Sequence, residues 1–354
     1  MKTKPLAILS TLLGLAVILA VFGWYWMGRP MYEPGKLAAS ALLEPPPQLD
    51  DELYWTVEKD VRLFHYADGS GPDALVVHGG PGFPMHNPPP GLKPLANQHR
   101  FHYYDQRGCG KSTRPVDRFA LRNFYENMQT LNAALGLGAQ VSDIEKIRRI
   151  LNDEKLILIG HSFGGFLSAL YAAEFPQHVK ALVLVAPADL LVLPQKGGGL
   201  FERVRGALPA HMQPQYAAYL KRYLDFSGVF ALSDSELAAL NAEFGRYYGA
   251  AAAGRGIAAP SIEDMQGNGG WMVQAMYLSM GRRHDYRGAL RRVLAPVLVI
   301  HGERDFQTQA ESRAYAQCFP HARFAVIQNA GHFPFTDQPE EFAAVTGQFL
   351  RELD

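Results

Sequence analysis

A short stretch near residue 160 constrains the fold of this chain more than any other. The apolar run Leu156–Ile159 is typical of a buried strand, residues 160–164 read Gly-His-Ser-Phe-Gly, and a helix-like segment follows over 166–171. A serine at the apex of a sharp turn between strand and helix has a strained backbone, and small residues two positions away on either side let the two elements approach closely. Glycines occupy both positions here. The pattern predicts Ser162 as a nucleophile, although a serine at such a turn can also simply cap a helix.

An acid and a histidine follow two later strand-like segments. Asp305 comes shortly after the apolar run Pro296–Ile300, and His332 comes shortly after Phe324–Ile327. Active-site groups of open α/β sheets collect beyond the carboxyl ends of the strands, so we expect both residues to lie near Ser162. Nucleophile, acid and histidine, in that chain order, predict a catalytic triad.

A glycine-rich loop follows an earlier strand-like segment. Leu75–Val77 runs into His-Gly-Gly-Pro-Gly at residues 78–82, where the glycines leave backbone N–H groups unobstructed. Such a loop can line an oxyanion hole, and we predict that the N–H groups of Gly80 and Phe163 form it. His78 is interpreted as a brace for this loop rather than as a second base.

Two motifs together resemble a known family. The sequence His-Gly-Gly-Pro-Gly at 78–82, followed by Asp-Gln-Arg-Gly-Cys-Gly-Lys-Ser at 105–112, is similar to the paired signature of the proline iminopeptidases, a branch of the α/β-hydrolases. The similarity runs from about Tyr54 to the carboxyl end, apart from the middle region. It implies an α/β-hydrolase fold, with a mostly parallel eight-stranded sheet, helices on both faces and an inserted helical cap.

The resemblance also implies roles for individual residues. Ser162, Asp305 and His332 would form the triad of a serine peptidase or a close relative, and Gly80 and Phe163 would form the oxyanion hole. Asp105 and Arg107 are interpreted as a structural charged turn that holds the glycine loop. The predicted mechanism is two-step acyl transfer through an acyl-enzyme.

Two departures from the family pattern bear on the substrate. The peptidases usually show Gly-Gly-Ser-Trp-Gly at the nucleophile, whereas His161 and Phe163 stand at the variable positions here. The peptidases also carry a glutamate that helps hold the amino group of the substrate, and residues 271–277 contain no carboxylate. A buried ammonium needs a charged partner. Five carboxylates of the predicted cap could substitute or could equally be solvated helix faces: Glu202, Glu236, Glu243, Glu263 and Asp264.

Three functions therefore remain open. The leading prediction, based on the family signature, is a proline iminopeptidase-like aminopeptidase that releases amino-terminal proline or another small residue from a small peptide. The residues around Ser162 and the missing carboxylate favour a carboxylesterase or related acyl hydrolase of small apolar substrates. An inactive binding protein is the third and most distant alternative.

The amino terminus predicts a membrane anchor over residues 1–30. Lys2 and Lys4 precede the run Pro5–Met27, which has no charged residue and is long enough to cross a bilayer. The bulky aromatic residues at 24–26 do not form a signal-peptidase site, so an uncleaved anchor is favoured over a cleaved signal peptide. If both lysines lie on the cytoplasmic side of the membrane, the catalytic domain would lie outside the cytoplasm, on the periplasmic side of the inner membrane in a bacterium.

The remaining chain divides into a linker, a core and a cap. We predict a proline-rich linker at 31–52, a hydrolase core over 53–187 and 291–354, and a helical cap over 188–290. Lys and Arg balance Asp and Glu at 34 each, so nothing in the composition indicates a nucleic-acid partner. The chain has two cysteines and no His-Glu-x-x-His motif, and no metal or other cofactor is predicted.

Overall fold

The computed structural model describes residues 28–37, 43–120, 123–195, 197–261 and 264–353. The predicted anchor, residues 1–30, lies outside these residues except for its last three positions. Within the described ranges, no helix is both long and apolar enough to cross a bilayer.

A twisted sheet of eight strands forms the centre of the molecule, in the order β1-β2-β4-β3-β5-β6-β9-β10. Pairing is antiparallel between β1, β2 and β4 and parallel across the rest of the sheet. This confirms the mostly parallel α/β architecture. A separate two-stranded pair, β7 with β8, was not predicted. The strands are β1 Tyr54–Glu58, β2 Val61–Gly69, β3 Asp73–Val77, β4 Arg100–Tyr104, β5 Leu156–His161, β6 Val179–Val185, β7 Val192–Leu193, β8 His284–Asp285, β9 Val297–Gly302 and β10 Ala322–Ile327.

Helices cover both faces of the sheet, which is why its central strands are apolar on both sides. Leu156 and Leu158 of β5 point into one hydrophobic core, and Ile157 and Ile159 point into the other. The helices are α1 Phe124–Leu135, α2 Leu137–Ile150, α3 Phe163–Glu174, α4 Leu200–Ala207, α5 Gln213–Tyr223, α6 Asp234–Ala253, α7 Trp271–Met280, α8 Arg287–Leu290, α9 Gln309–Ala316, α10 Pro334–Asp337 and α11 Pro339–Arg351.

Helices α4, α5 and α6 pack around a third core that is rich in tyrosine. Tyr216, Tyr219 and Tyr247 are almost fully buried there. Helix α6 begins with a capping box: Ser233 Oγ accepts a hydrogen bond from Glu236 N, and Ser233 N donates to the Glu236 carboxylate. Helix α7 falls within the predicted cap range, yet its buried face belongs to the core cluster that also contains Leu135.

Gly267, Gly269 and Gly270 lie in close contact with both the core and the cap. Gly110 N donates to Gly267 O at 2.7 Å, and Gly269 N donates to Gly82 O at 2.8 Å. A Cβ atom on Gly270 would lie 2.0 Å from the carbonyl oxygen of Asp234. The glycines therefore permit close packing between the glycine-rich loop and the cap.

Residues 28–37 form a strap on the surface of the core. The Glu174 carboxylate, at the end of α3, accepts hydrogen bonds at 2.6 Å from the N–H groups of Gly35 and Leu37, and from the Tyr32 hydroxyl at 2.9 Å. Tyr32 is only 4% exposed. The described first part of the predicted linker is thus packed against the domain and does not stand clear of it.

A buried ion pair joins the turn after β4 to helix α2. Arg107 donates to both carboxylate oxygens of Asp143 at 2.5 and 2.6 Å, and to Glu58 at 2.7 Å. Burial acts to lower the pKa of the Arg107 guanidinium, but the two carboxylates outweigh it and raise the pKa above its ordinary value. The sequence suggests that Arg107 holds the glycine loop; instead it links α2 and β1.

Replacing Asp143 with asparagine should destabilise the protein strongly, because it leaves the Arg107 charge buried beside a neutral amide. We expect Asp143→Asn to lower the free energy of unfolding in urea by about 3–5 kcal/mol. The control is Asp285→Asn, which breaks an exposed pair with Arg287 and should leave the unfolding transition unchanged. Equal effects of the two substitutions would contradict this account.

Candidate active site

Ser162 lies at the junction of β5 and α3 with φ 53° and ψ −118°, a conformation that side-chain-bearing residues rarely adopt. The residues two positions before and two positions after Ser162 must be glycine. A Cβ on Gly160 would lie 2.4 Å from Gly164 O, and a Cβ on Gly164 would lie 2.0 Å from Val77 O. The strained turn therefore holds the serine side chain above the carboxyl edge of the sheet.

The three residues predicted as a triad lie together. His332 Nε2 is 2.8 Å from Ser162 Oγ, and His332 Nδ1 is 2.8 Å from Asp305 Oδ2. Asp305 follows β9 and His332 follows β10, so the neighbouring parallel strands deliver both side chains to the same edge. An ionised Asp305 can only accept, so Nδ1 carries the ring proton and Nε2 is left to accept the serine proton.

Asp305 is held in its charged form. Burial alone would raise the pKa of its carboxyl group, but the adjacent His332 and the N–H of Gln307 hold the pKa below its ordinary value. Gln307 N donates to Asp305 Oδ1 at 3.0 Å. The carboxylate oxygen not bonded to His332 is thus also satisfied.

Gln307 is a positioning residue that the sequence did not indicate. Its Oε1 accepts a hydrogen bond from Asp189 N at 3.0 Å, and its Nε2 lies 3.4 Å from Ala186 O. It thereby fastens the loop after β6 to the loop that carries Asp305. A glutamine two residues after an aspartate has no pattern that would mark this role; only the tertiary contact reveals it.

The two residues predicted as oxyanion donors border the serine. Gly80, in the loop after β3, lines the same cavity as Ser162, and Phe163 is the first residue of α3. Neither N–H group donates a hydrogen bond to another residue in the described part of the chain. A Cβ on neighbouring Gly79 would lie 2.9 Å from Ser162 Cβ, so the glycine loop lies directly against the nucleophile.

His78 braces this loop and has no nitrogen left for catalysis. Its Nε2 accepts a hydrogen bond from Gln106 N at 3.0 Å, so Nδ1 carries the proton and donates to Gly79 O at 3.0 Å. Gln106 Nε2 also donates to His78 O at 2.8 Å. Burial lowers the pKa of His78 to about 4, which keeps the ring neutral. Gln106, rather than its charged neighbours, holds the loop.

His161, the residue before the nucleophile, fastens the histidine loop to the strand. Its Nε2 lies 2.8 Å from the carbonyl oxygen of His332. Burial, together with the nearby His332, lowers the pKa of His161 to about 3. The ring is therefore neutral, and Nε2 must carry its proton because a carbonyl can only accept.

The cavity that contains Ser162, which we term the cap chamber, has a volume of about 140 Å³. The cap contributes apolar and neutral polar side chains, among them Leu200, Tyr223, Phe244, Tyr248 and Met265. No carboxylate lies among the described residues that line it.

Four of the five cap carboxylates that could hold a substrate amine lie in the described residues, and each of the four contacts another side chain. Glu263 lies outside the described residues. The other four are engaged as follows: Glu202 with Arg205, Glu236 with Ser233 and Arg118, Glu243 with Arg222, and Asp264 with Ser261.

Comparisons with known proteins agree with this geometry at the level of fold. A family model described as "alpha/beta hydrolase fold" matches residues 75–339. A proline iminopeptidase of Heyndrickxia coagulans is 27% identical over 81% of this chain and 93% of its own length. A pimeloyl-[acyl-carrier protein] methyl ester esterase of Nitrosospira multiformis is 24% identical over 82% of this chain and 99% of its own.

Solved structures share the same architecture. The crystal structure of a membrane phospholipase A, described as a bacterial virulence factor, superposes with a TM-score of 0.55 at 23% identity, covering 97% of this chain and 98% of that one. At this level of identity the likeness concerns the fold alone. The matched family model spans the elements that carry Ser162, Asp305 and His332. The chain therefore belongs to the α/β-hydrolase fold family.

Proposed function

We propose that this protein is a serine hydrolase that cleaves carboxylic esters with an uncharged acyl group, through an acyl-enzyme intermediate. The observation that carries this proposal is the cap chamber, in which the described lining beside Ser162 is apolar or neutral. A positively charged acyl group would lose its hydration there without gaining a charged partner, which is unfavourable. A neutral acyl group would meet no such penalty.

The mechanism follows from the hydrogen bonds. Ser162 Oγ attacks the ester carbon while His332 Nε2 takes its proton, and the carbonyl electrons move onto the oxygen, which the N–H groups of Gly80 and Phe163 stabilise. The intermediate collapses, the alcohol leaves with the proton from His332, and Ser162 remains acylated. Water then attacks with His332 again as base, which releases the acid and restores Ser162. Asp305 stabilises the imidazolium in both steps.

An iminopeptidase-like aminopeptidase is the second candidate. The paired motifs at 78–82 and 105–112 and the 27% identity to the enzyme of Heyndrickxia coagulans favour it. The two candidates differ in one chemical requirement, because an aminopeptidase depends on a free amino group in its substrate.

Turnover of p-nitrophenyl butyrate and of proline p-nitroanilide distinguishes the candidates. We expect efficient ester hydrolysis and little anilide hydrolysis, because the anilide brings an ammonium to the cap chamber. Ser162→Ala should lower ester turnover by at least about a thousandfold. Ser142→Ala, a serine in α2 bonded only to Ala139 O among described residues, is the matched control and should retain activity. Anilide turnover that depends on Ser162 and on a free amine would establish the aminopeptidase instead.

The pH profile should depend on a single proton on its acid side. His332 must be neutral to accept the serine proton, whereas His78 and His161 have pKa values of about 4 and 3 and are already neutral above about pH 5. Protonation of His78 or His161 should therefore add nothing to any fall of log kcat/KM for butyrate ester between pH 7 and about 5, and the slope of that profile should not exceed one. A slope of two would show that a second histidine controls the reaction.

We also propose that residues 1–30 anchor the protein in a membrane, with the catalytic domain outside the cytoplasm. The support is the sequence of Pro5–Met27, which contains no charged residue and follows two lysines. The full chain should then remain with membranes after a carbonate wash at high pH, and a chain lacking residues 1–27 should be released. Release of the full chain would contradict the anchor.

A further inference from the structure

A second cavity adjoins the cap chamber on the other side of His161. This loop chamber, of about 250 Å³, lies between the proline-rich segment 83–90 and residues 333–336. The two chambers share a wall that includes Gly79, His161 and Phe333. Ser162 and His332 line only the cap chamber, so the reaction takes place there, next to the wall that the two chambers share.

His161 presents a hydrogen-bond acceptor at this boundary. Its Nε2 proton is committed to the carbonyl oxygen of His332, so the neutral ring must carry a lone pair on Nδ1. Nδ1 makes no hydrogen bond within the described part of the chain, and it is not among the polar atoms there that are sealed from solvent without a partner. It is therefore an accessible acceptor fixed by the fold.

Only a glycine fits at position 79, between this acceptor and the nucleophile. A Cβ on Gly79 would lie 3.3 Å from His161 Nδ1 and 2.9 Å from Ser162 Cβ. Both chambers are lined by Gly79. A group that extends from the carbon attacked by Ser162 into the loop chamber would pass along the shared wall, to which Gly79 and His161 both contribute.

The alcohol, which is the leaving group, is the half of the ester that belongs in the loop chamber. Its oxygen takes a proton from His332 Nε2 in the cap chamber, and the chain beyond that oxygen can follow the histidine loop into the loop chamber. Phe333, Phe335 and Thr336, which directly follow His332, wall the loop chamber. The acyl half then occupies the cap chamber.

The walls of the loop chamber are apolar within and polar at the outer end. Phe83, Met85 and Phe335 are apolar lining residues. His86 and Asp264 are exposed lining residues, and His86 Nε2 is 3.0 Å from Gln266 O. An alkyl chain fits such a space, while the acceptor near the serine suits a hydrogen-bond donor close to the ester bond.

We propose that the loop chamber binds the alcohol half of the ester, and that His161 Nδ1 accepts a hydrogen bond from a hydroxyl group on the carbon next to the ester oxygen-bearing carbon. The substrate class is then a monoester of an alkyl 1,2-diol. This inference rests on the proposed esterase function and specifies which half of the ester each chamber binds.

The first experiment measures the role of His161 through a ratio of substrates. The full-length enzyme should hydrolyse 2-hydroxyoctyl butyrate about five to ten times faster, in kcat/KM, than octyl butyrate, since one fixed acceptor is involved. In His161→Phe this ratio should fall to about one, as expected when the acceptor is lost. His161 also positions the His332 loop, so the absolute rates should drop for both esters. A drop with an unchanged ratio would assign His161 to positioning alone and overturn the proposal.

The second experiment assigns the two chambers by blocking each of them. Thr336 lines only the loop chamber and Leu200 lines only the cap chamber, and neither contacts the triad in the described hydrogen-bond network. Thr336→Trp should reduce kcat/KM for octyl butyrate relative to methyl butyrate by about tenfold, because several methylene groups lose their site. It should leave the ratio of methyl octanoate to methyl butyrate unchanged. Leu200→Trp should have the opposite effect.

The outcomes separate this inference from the proposed function. If the enzyme hydrolyses no ester, or Ser162→Ala hydrolyses esters equally well, the esterase proposal fails and the subsite fails with it. If esters are cleaved through Ser162 but Thr336→Trp changes only the dependence on acyl length, the function holds and the assignment of the loop chamber is overturned.

Discussion

The architecture depends on one crowded turn. Ser162 can hold its left-handed backbone conformation only because β5 and α3 approach within contact of each other and of β3, and this requires that Gly160 and Gly164 have no side chains. The strain of about 1–3 kcal/mol that such a conformation carries is sustained by the buried sheet around it. This conformation places the Ser162 hydroxyl at the carboxyl edge of the sheet. There it contacts His332, from the loop after β10, which in turn contacts Asp305, from the loop after β9.

Neutral histidines hold that edge together. His78 ties the glycine loop to the turn after β4, and His161 ties the histidine loop to the strand of the nucleophile. Burial keeps the pKa of both rings far below the ordinary value, so each ring has a defined donor and a defined acceptor. Because a neutral imidazole in a fixed tautomer is a rigid two-sided hydrogen-bonding group, these residues hold the loops in place without competing with His332 as a base.

The cap and the glycine loop form one continuous wall around the substrate space. Gly269 N donates to Gly82 O, and Arg114 bridges from the core to Asp234 and to the carbonyl oxygens of Gly267 and Asn268. These contacts fix the cap over Ser162. A family signature in the core therefore does not by itself define the substrate, because the side chains that line the chambers come largely from the cap and from the loop 83–90.

The sequence alone determined the alternation of strands and helices, the serine turn and the order of Ser162, Asp305 and His332, since these depend on local patterns: apolar runs, glycine spacing and residues just after strands. Tertiary structure decided what depends on distant contacts. It fastened Gln307 to Asp189, paired Arg107 with Asp143 rather than with the glycine loop, and folded residues 28–37 onto Glu174. It also paired Glu202, Glu236 and Glu243 with arginines, and none of the carboxylates in the described part of the cap lines the cap chamber. A local pattern cannot specify such pairings, because a side chain's partner is set by which distant segment the packed core places against it.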